Sequence, residues 1–220
     1  MTALDQRRLD EEVAGARQAQ GRLTVTLAVL DDDTARRRSR LPDWSVGHVL
    51  THLARNADSQ RRVLEAAGRL ESVDRYPGGA GQRSAEIEEG ASRPAAELVA
   101  DVAASAAALD AAWSATSQEA WARPGTSLGR PEPVADLPFK RWREVEVHHA
   151  DLGLAFGWDD WSAGYVGREL RNAAMAWRAT HPMGQTGLPT AALALAPNER
   201  LAWLLGRLEV DGLPEVRPWW

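Results

Sequence analysis

Long stretches in which apolar residues recur every three or four positions constrain this chain most strongly. Such spacing places the apolar side chains on one face of an α-helix. The stretches cover roughly residues 4–30, 46–68, 94–113, 135–152 and 162–180. Ser45 is a candidate N-cap for the second of them, and Pro94 and Pro138 lie where a first helical turn tolerates proline. The first four of these stretches predict four long helices joined by connections, an arrangement that is typical of a helix bundle.

The segments between and after these helices carry weaker signals. We predict a short helix over Arg83–Glu89, a loop over Arg123–Pro133, a linker over His181–Gly187, a short strand over Ala191–Ala196, and a last helix capped by Asn198 and ending near Leu208. The predicted fold is therefore mainly α. It has a helix bundle over 1–155 and a small α/β appendage over 156–220.

The composition excludes several classes of protein. The 220 residues are 44% hydrophobic and 26% charged, with a net charge of -5, which argues against a nucleic-acid binder or a polybasic membrane-surface protein. We find no apolar run of the roughly 20 residues that cross a bilayer and no secretory signal, so we expect a cytoplasmic protein. There are 10 Trp but only 2 Tyr and 2 Phe, and we expect most of the Trp rings to fill core volume. Since the chain has 0 Cys, any thiol chemistry must take its sulfur from a small molecule.

Four of the five histidines lie in predicted helices beside acidic residues. Glu144 and His148 are four positions apart and so share one helical face, which is the spacing by which one helix presents two metal ligands. His52, in another predicted helix, could supply a third ligand, and two imidazoles with one carboxylate suit Zn²⁺ with one position left open. The same spacing also fits a plain helical ion pair, and His52 also fits a hydrogen-bonded core histidine.

Three neighbouring residues have alternative interpretations. His48 lies about one turn before His52 and could compete for its role. His149 is rotated by about 100° from His148 and should point elsewhere. Asp151 could accept a hydrogen bond from the His148 ring, or could be an exposed acid near the helix end.

Four segments resemble the mycothiol-dependent maleylpyruvate isomerases, a family within the wider DinB-like group of metal-binding four-helix bundles. These segments are Leu41–Asp58 (LPDWSVGHVLTHLARNAD), Tyr76-Pro77-Gly78 followed by Arg83, Ile87 and Gly90, Glu144–Gly153 (EVEVHHADLG) and Trp203–Arg207 (WLLGR). The first and third are fairly specific. The likeness is good up to Asp151 and loose beyond it.

The resemblance implies that His52, Glu144 and His148 bind zinc and that mycothiol is the thiol cofactor. The family's reaction converts maleylpyruvate into fumarylpyruvate. A thiolate adds to the conjugated double bond, the resulting single bond rotates, and the thiol leaves. The partners expected are a small-molecule substrate and the thiol, with no nucleic acid and no membrane. The chain is expected to be a monomer or a weak homo-oligomer.

The resemblance also points to catalytic arginines. Arg207 looks like the family's C-terminal arginine, although it also fits a cation at a helix C-terminus, and Arg83 could hold a substrate carboxylate or stabilise enolate charge. Only about forty residues follow His181, so we expect the C-terminal region to be shortened relative to the family. A mycothiol S-transferase and a non-catalytic metal-binding bundle are the alternative functions.

Overall fold

The computed structural model describes residues 3–181 and 187–216 and divides the chain into two compact units, 1–155 and 156–220. Long helices dominate the described part of the first unit: α1 (Ala3–Leu27), α3 (Val46–Gly68), α5 (Ala95–Ala115) and α7 (Leu137–Asp151). Shorter helices lie between them: α2 (Asp32–Arg36), α4 (Gly79–Ala91) and α6 (Gln118–Trp121). The mainly α prediction is confirmed. No helix in the described ranges has an apolar stretch long enough to cross a membrane.

The core of the first unit forms where α3 packs mainly on α5 and α1 packs mainly on α7. Their buried faces carry leucine, valine and alanine at helical spacing, including Leu23, Leu50, Leu53, Leu98 and Leu109. Burial of a side chain of this size stabilises the fold by roughly 1.5–3 kcal/mol relative to exposure. The amphipathic pattern of the sequence therefore accounts for the bundle.

The helix predictions differ from the structure mainly at their ends. Ser45 caps α3 as predicted, and the helix predicted over Arg83–Glu89 is part of the longer α4. The helix predicted to begin near residue 135 instead starts with a 3₁₀ turn, Val134–Asp136, before α7. α1 ends at Leu27, short of the predicted end near residue 30, and the short α2 follows it.

The loop predicted over Arg123–Pro133 is instead largely an antiparallel hairpin of β1 (Pro124–Ser127) and β2 (Arg130–Pro133). Leu128 and Gly129 make its turn, with φ of 51° and 75°. The carboxylate of Asp74 accepts hydrogen bonds from the backbone N–H groups of Leu128 (3.0 Å) and Gly129 (2.8 Å). The hairpin is thereby pinned to the loop between α3 and α4. Three of the eight strand residues are proline, which is rare in strands, so the sequence did not predict them as strands.

The described part of the second unit is helical. It contains a 3₁₀ turn (Trp158–Asp160), α8 (Ala163–Thr180), α9 (Thr190–Ala194) and α10 (Pro197–Leu204). The predicted strand over Ala191–Ala196 is wrong because most of it forms α9, as the high helix propensity of alanine favours. No strand occurs in 156–181 or 187–216, so the appendage is not α/β there. The predicted linker lies outside the described residues except at its two ends.

The last helix also differs from its prediction. Asn198 lies inside its first turn, since α10 begins at Pro197, and the helix ends at Leu204 instead of near Leu208. The Asn198 amide donates to the carbonyl oxygens of Trp158 (3.1 Å) and Trp161 (3.2 Å). It therefore fastens α10 to the 3₁₀ turn in place of capping a helix.

One glycine in α3 tests how closely this helix packs on the end of α4, and one glycine in α1 serves as its control. A Cβ built on Gly47 would lie 2.1 Å from the backbone oxygen of Ala91, at the end of α4, whereas a Cβ on Gly21 in α1 would meet nothing within 4 Å. We expect Gly47→Ala to lower the free energy of unfolding by about 1–3 kcal/mol, because backbone must move. Gly21→Ala should raise it by roughly 0.5–1 kcal/mol through helix propensity. Urea unfolding of both variants measures this, and equal shifts would contradict the close approach.

Candidate metal centre

Three side chains that can ligate a metal ion converge in the first unit. His52 lies in α3, and Glu144 and His148 lie one turn apart in α7. One ligand atom from each lies within 4.8 Å of the other two. His52 Nε2 donates to Glu144 Oε2 at 2.8 Å, and His148 Nε2 lies 3.3 Å from the same oxygen. The residues singled out in the sequence therefore lie together, and their binding of a metal is a prediction.

Burial and mutual contact fix the charges of this cluster. Burial lowers the pKa of His52 to about 4, against the opposing hydrogen bond to Glu144. Burial would also lower the pKa of His148, but hydrogen bonds to Asp151 and Glu144 outweigh it and raise that pKa to about 9. Burial would raise the pKa of Glu144, yet the two imidazoles override it and hold the pKa well below its usual value. The carboxylate is therefore ionised and ready to accept a cation.

Asp151 orients one of the two imidazoles. It is buried, and its Oδ2 lies 2.9 Å from His148 Nδ1, so the ring donates to the carboxylate. The exposed-acid alternative is wrong. Histidines that ligate metals usually donate their second ring N–H to such an acceptor, which holds the ring and raises its basicity. The contact leaves His148 Nε2 directed at Glu144.

The other two histidines of these helices have different tasks. His48 Nδ1 accepts a hydrogen bond from the backbone N–H of Ser45 (3.1 Å), while Ser45 Oγ accepts from the His48 backbone N–H, so His48 closes the α3 cap. Its Nε2 lies 3.3 Å from Glu88. His149 points away from the cluster, with its Nε2 2.7 Å from the hydroxyl of Thr26 in α1. Neither side chain belongs to the cluster of three.

Arg83 of α4 lies at the cluster, as its proposed role requires. Its Nη2 donates to His52 Nδ1 at 3.0 Å. Its guanidinium also lies over the ring of Tyr76, 5.7 Å from the ring centre, and Arg75 lies 5.3 Å from the same ring. The aromatic ring therefore contacts two cations, which is a favourable arrangement.

Two aromatic contacts at the site were not identified from the sequence. The Trp44 ring lies 5.6 Å from the His52 ring, and Tyr76 supports Arg83. Trp44 precedes α3 and follows Asp43, whose backbone is in the left-handed region (φ 62°). Helical spacing could therefore not predict that Trp44 contacts His52. The one available signal was the position of both aromatics in the segments that carry the family resemblance.

Arg207 lies in the second unit, three residues beyond the end of α10. Its Nη1 donates to the carbonyl oxygen of Leu205 at 2.8 Å, and its backbone N–H donates to Ala202. This contact fits the alternative in which Arg207 is a cation at a helix C-terminus. Its catalytic role is a prediction.

The donor set of the cluster fits a divalent transition metal. Two imidazole nitrogens and one carboxylate oxygen are the protein ligands of many zinc sites that keep one position for water or substrate. The side chains of His52, Glu144 and His148 are 4%, 18% and 11% exposed. The cluster is thus shielded but reachable from solvent on the Glu144 side.

Fold and site together define a helix-bundle protein with a cluster of metal-ligating side chains in its interior. The family model of the mycothiol maleylpyruvate isomerase N-terminal domain matches residues 16–153, which is more than half of the chain. The chain therefore belongs to this family, as the resemblance indicated. No curated protein matches the sequence significantly.

Two solved structures share the fold over the whole chain. A mycothiol-dependent maleylpyruvate isomerase aligns with 23% identity and a TM-score of 0.84, and its H52A mutant with 22% and 0.85. Each alignment covers 100% of this chain and 100% of the other. Relative to these two structures the C-terminal region is not shortened, which corrects that expectation.

The contact between Arg83 and His52 predicts a change of tautomer. Because Arg83 can only donate, His52 Nδ1 must accept and its Nε2 must carry the proton. A cation on Nε2 would force the proton to Nδ1 and abolish this hydrogen bond. We expect ¹⁵N NMR of the ring nitrogens to show the Nε2–H form without metal and the Nδ1–H form after Zn²⁺ is added.

His148 is the internal control for this measurement, because its Nδ1 should keep a proton for Asp151 in both states. A His52 ring that already carries its proton on Nδ1 before metal is added would contradict the assignment.

Proposed function

We propose that this protein catalyses the zinc- and mycothiol-dependent cis–trans isomerisation of maleylpyruvate to fumarylpyruvate. The observation that carries the proposal is the convergence of His52, Glu144 and His148 in a chain of this family. We assign these three side chains as the ligands of Zn²⁺. Their mixed nitrogen and oxygen donors and one open position favour a metal that binds a further ligand.

The chain offers no thiol of its own, since it contains 0 cysteines. A bound divalent cation lowers the pKa of a coordinating thiol and so supplies a thiolate at neutral pH. Asp151 holds the His148 ring in place, and the Trp44 ring covers one side of His52. These contacts keep the donor atoms aligned and limit the access of water to them.

We assign Arg83 to the substrate. Both maleylpyruvate carboxylates are anionic, and a guanidinium can bind a carboxylate through two parallel hydrogen bonds. Arg83 lies beside His52, and its stacking on Tyr76 limits where it can reach; loss of the hydrogen bond to His52, which a bound metal would abolish, leaves its donors free for the substrate. It could thereby hold the substrate beside the open position and stabilise the enolate charge that follows thiolate addition. A catalytic role for Arg207 is proposed on the family resemblance alone.

Substitution of one histidine tests the metal assignment. We expect His52→Ala to lose bound zinc and thiol-dependent turnover together, because one of three protein ligands is gone. His48→Ala is the matched control: it removes an imidazole one turn away in the same helix, but one that caps α3. It should keep stoichiometric zinc at some cost in stability, typically about 1 kcal/mol. Metal analysis of the purified variants measures this. Full zinc content in His52→Ala would refute the ligand set.

The reaction itself is tested by following two quantities together. Zinc-loaded protein is incubated with mycothiol and maleylpyruvate, while double-bond geometry is read by NMR and free thiol by titration. We expect fumarylpyruvate to accumulate with no loss of free thiol, because the nucleophile returns. Stoichiometric loss of thiol would instead establish an S-transferase. Zinc binding without any thiol-dependent turnover would establish a non-catalytic bundle.

A further inference from the structure

A cavity lies on the first unit and is lined by residues of α1 and α5 and by Arg141 of α7. We call it the α1–α5 groove. Its volume is about 260 Å³, and its walls are largely alanine methyl groups together with Leu109 and Trp113. His52, Glu144 and His148 do not line it. The groove is therefore distinct from the metal centre.

Arg141 is the unusual residue of this groove. It is only 2% exposed, yet its guanidinium has no carboxylate partner among the described residues. Its Nη1 donates to Leu53 O (2.7 Å) and Asn56 Oδ1 (3.1 Å), and its Nη2 donates to Gln20 Oε1 (3.1 Å). All three acceptors are neutral, and a guanidinium has five N–H donors. A buried cation with no carboxylate in direct contact is costly, so an anion that reaches it gains a large interaction.

Two further side chains of the groove carry donors that are not used. Gln20 Nε2 and Trp113 Nε1 are buried and have no hydrogen-bond partner within the described ranges. The one carboxylate of the lining, on Asp110, is paired with Arg17. The residues that line the groove therefore hold unused N–H groups and a positive charge beside apolar walls. The complementary ligand has an anionic acceptor at one end and an apolar body.

We propose that the α1–α5 groove binds a small organic acid with one carboxylate and an unbranched apolar tail. The carboxylate lies at Arg141, and the tail lies along the alanines of α5. The ligand is small, because 260 Å³ falls just below the range of about 300–1,000 Å³ that is typical of drug-sized ligands. This binding needs neither the metal nor the thiol and goes beyond the proposed isomerase activity.

Octanoate is a suitable probe for titration of the full-length protein, with binding followed by NMR of ¹³C-carboxylate-labelled octanoate. We expect saturable binding at one site, equal in zinc-loaded and zinc-stripped protein. Octanoate and the neutral 1-octanol should differ by about tenfold or more in affinity, as loss of one charge-assisted hydrogen bond implies. Equal affinities would overturn the role of Arg141. Binding that requires zinc would place the carboxylate at the metal centre and would likewise overturn the proposal.

Filling the groove tests its location without breaking the hydrogen bonds of Arg141. Ala107 is exposed and lines the groove, whereas Ala104 is exposed on the same helix and does not line it. We expect Ala107→Trp to weaken octanoate binding at least tenfold and Ala104→Trp to leave it unchanged. The two variants carry the same change in helix propensity. An absence of saturable binding in the unsubstituted protein, or equal weakening in both variants, would overturn the proposal.

Discussion

One largely buried carboxylate, that of Glu144, is shared by two imidazoles from two different helices. Removing an ion from water costs several kcal/mol, and that cost is met here only because both rings lie within reach of the same oxygen. α3 and α7 must therefore be held so that both rings reach that oxygen, and Val49, Leu50 and Leu53 are fully buried in α3 beside His52. The site depends on the bundle, because its helices carry all three side chains.

The hairpin connects distant parts of the chain to this site. Glu132 of β2 accepts from the buried Arg75 (3.2 Å) and pairs with Lys140 of α7. The guanidinium groups of Arg75 and Arg83 both lie over one aromatic ring, that of Tyr76. Arg83 in turn contacts His52. The hairpin thus constrains, through Arg75 and Tyr76, where the charge of Arg83 lies beside the candidate metal centre.

Helical periodicity predicted the long helices because amphipathic packing is a local property of sequence. It failed for the hairpin, where Asp74 and the prolines determine the structure, and over Ala191–Ala196, where a short apolar run fits either state. Spacing alone could pair Glu144 with His148, but it could not bring in His52, which lies 92 positions away. That convergence was predicted from the family resemblance. The Arg83 contact depends on where α4 packs and on the position of the Tyr76 ring, and neither is encoded in a local pattern.

The interior of the bundle contains two polar layers separated by less than one turn of α7. Arg141 and Glu144 are three positions apart, and the charge of Glu144 raises the pKa of Arg141 against burial, which lowers it to about 10. The guanidinium therefore contributes a positive electrostatic potential at the cluster of His52, Glu144 and His148. This potential favours the ionised form of Glu144 and disfavours a second cation at the cluster. Arg141 also ties α7 to α3 through Leu53 and to α1 through Gln20. The same side chain thus fixes the helix that carries two of the three candidate ligands and sets the charge that surrounds them.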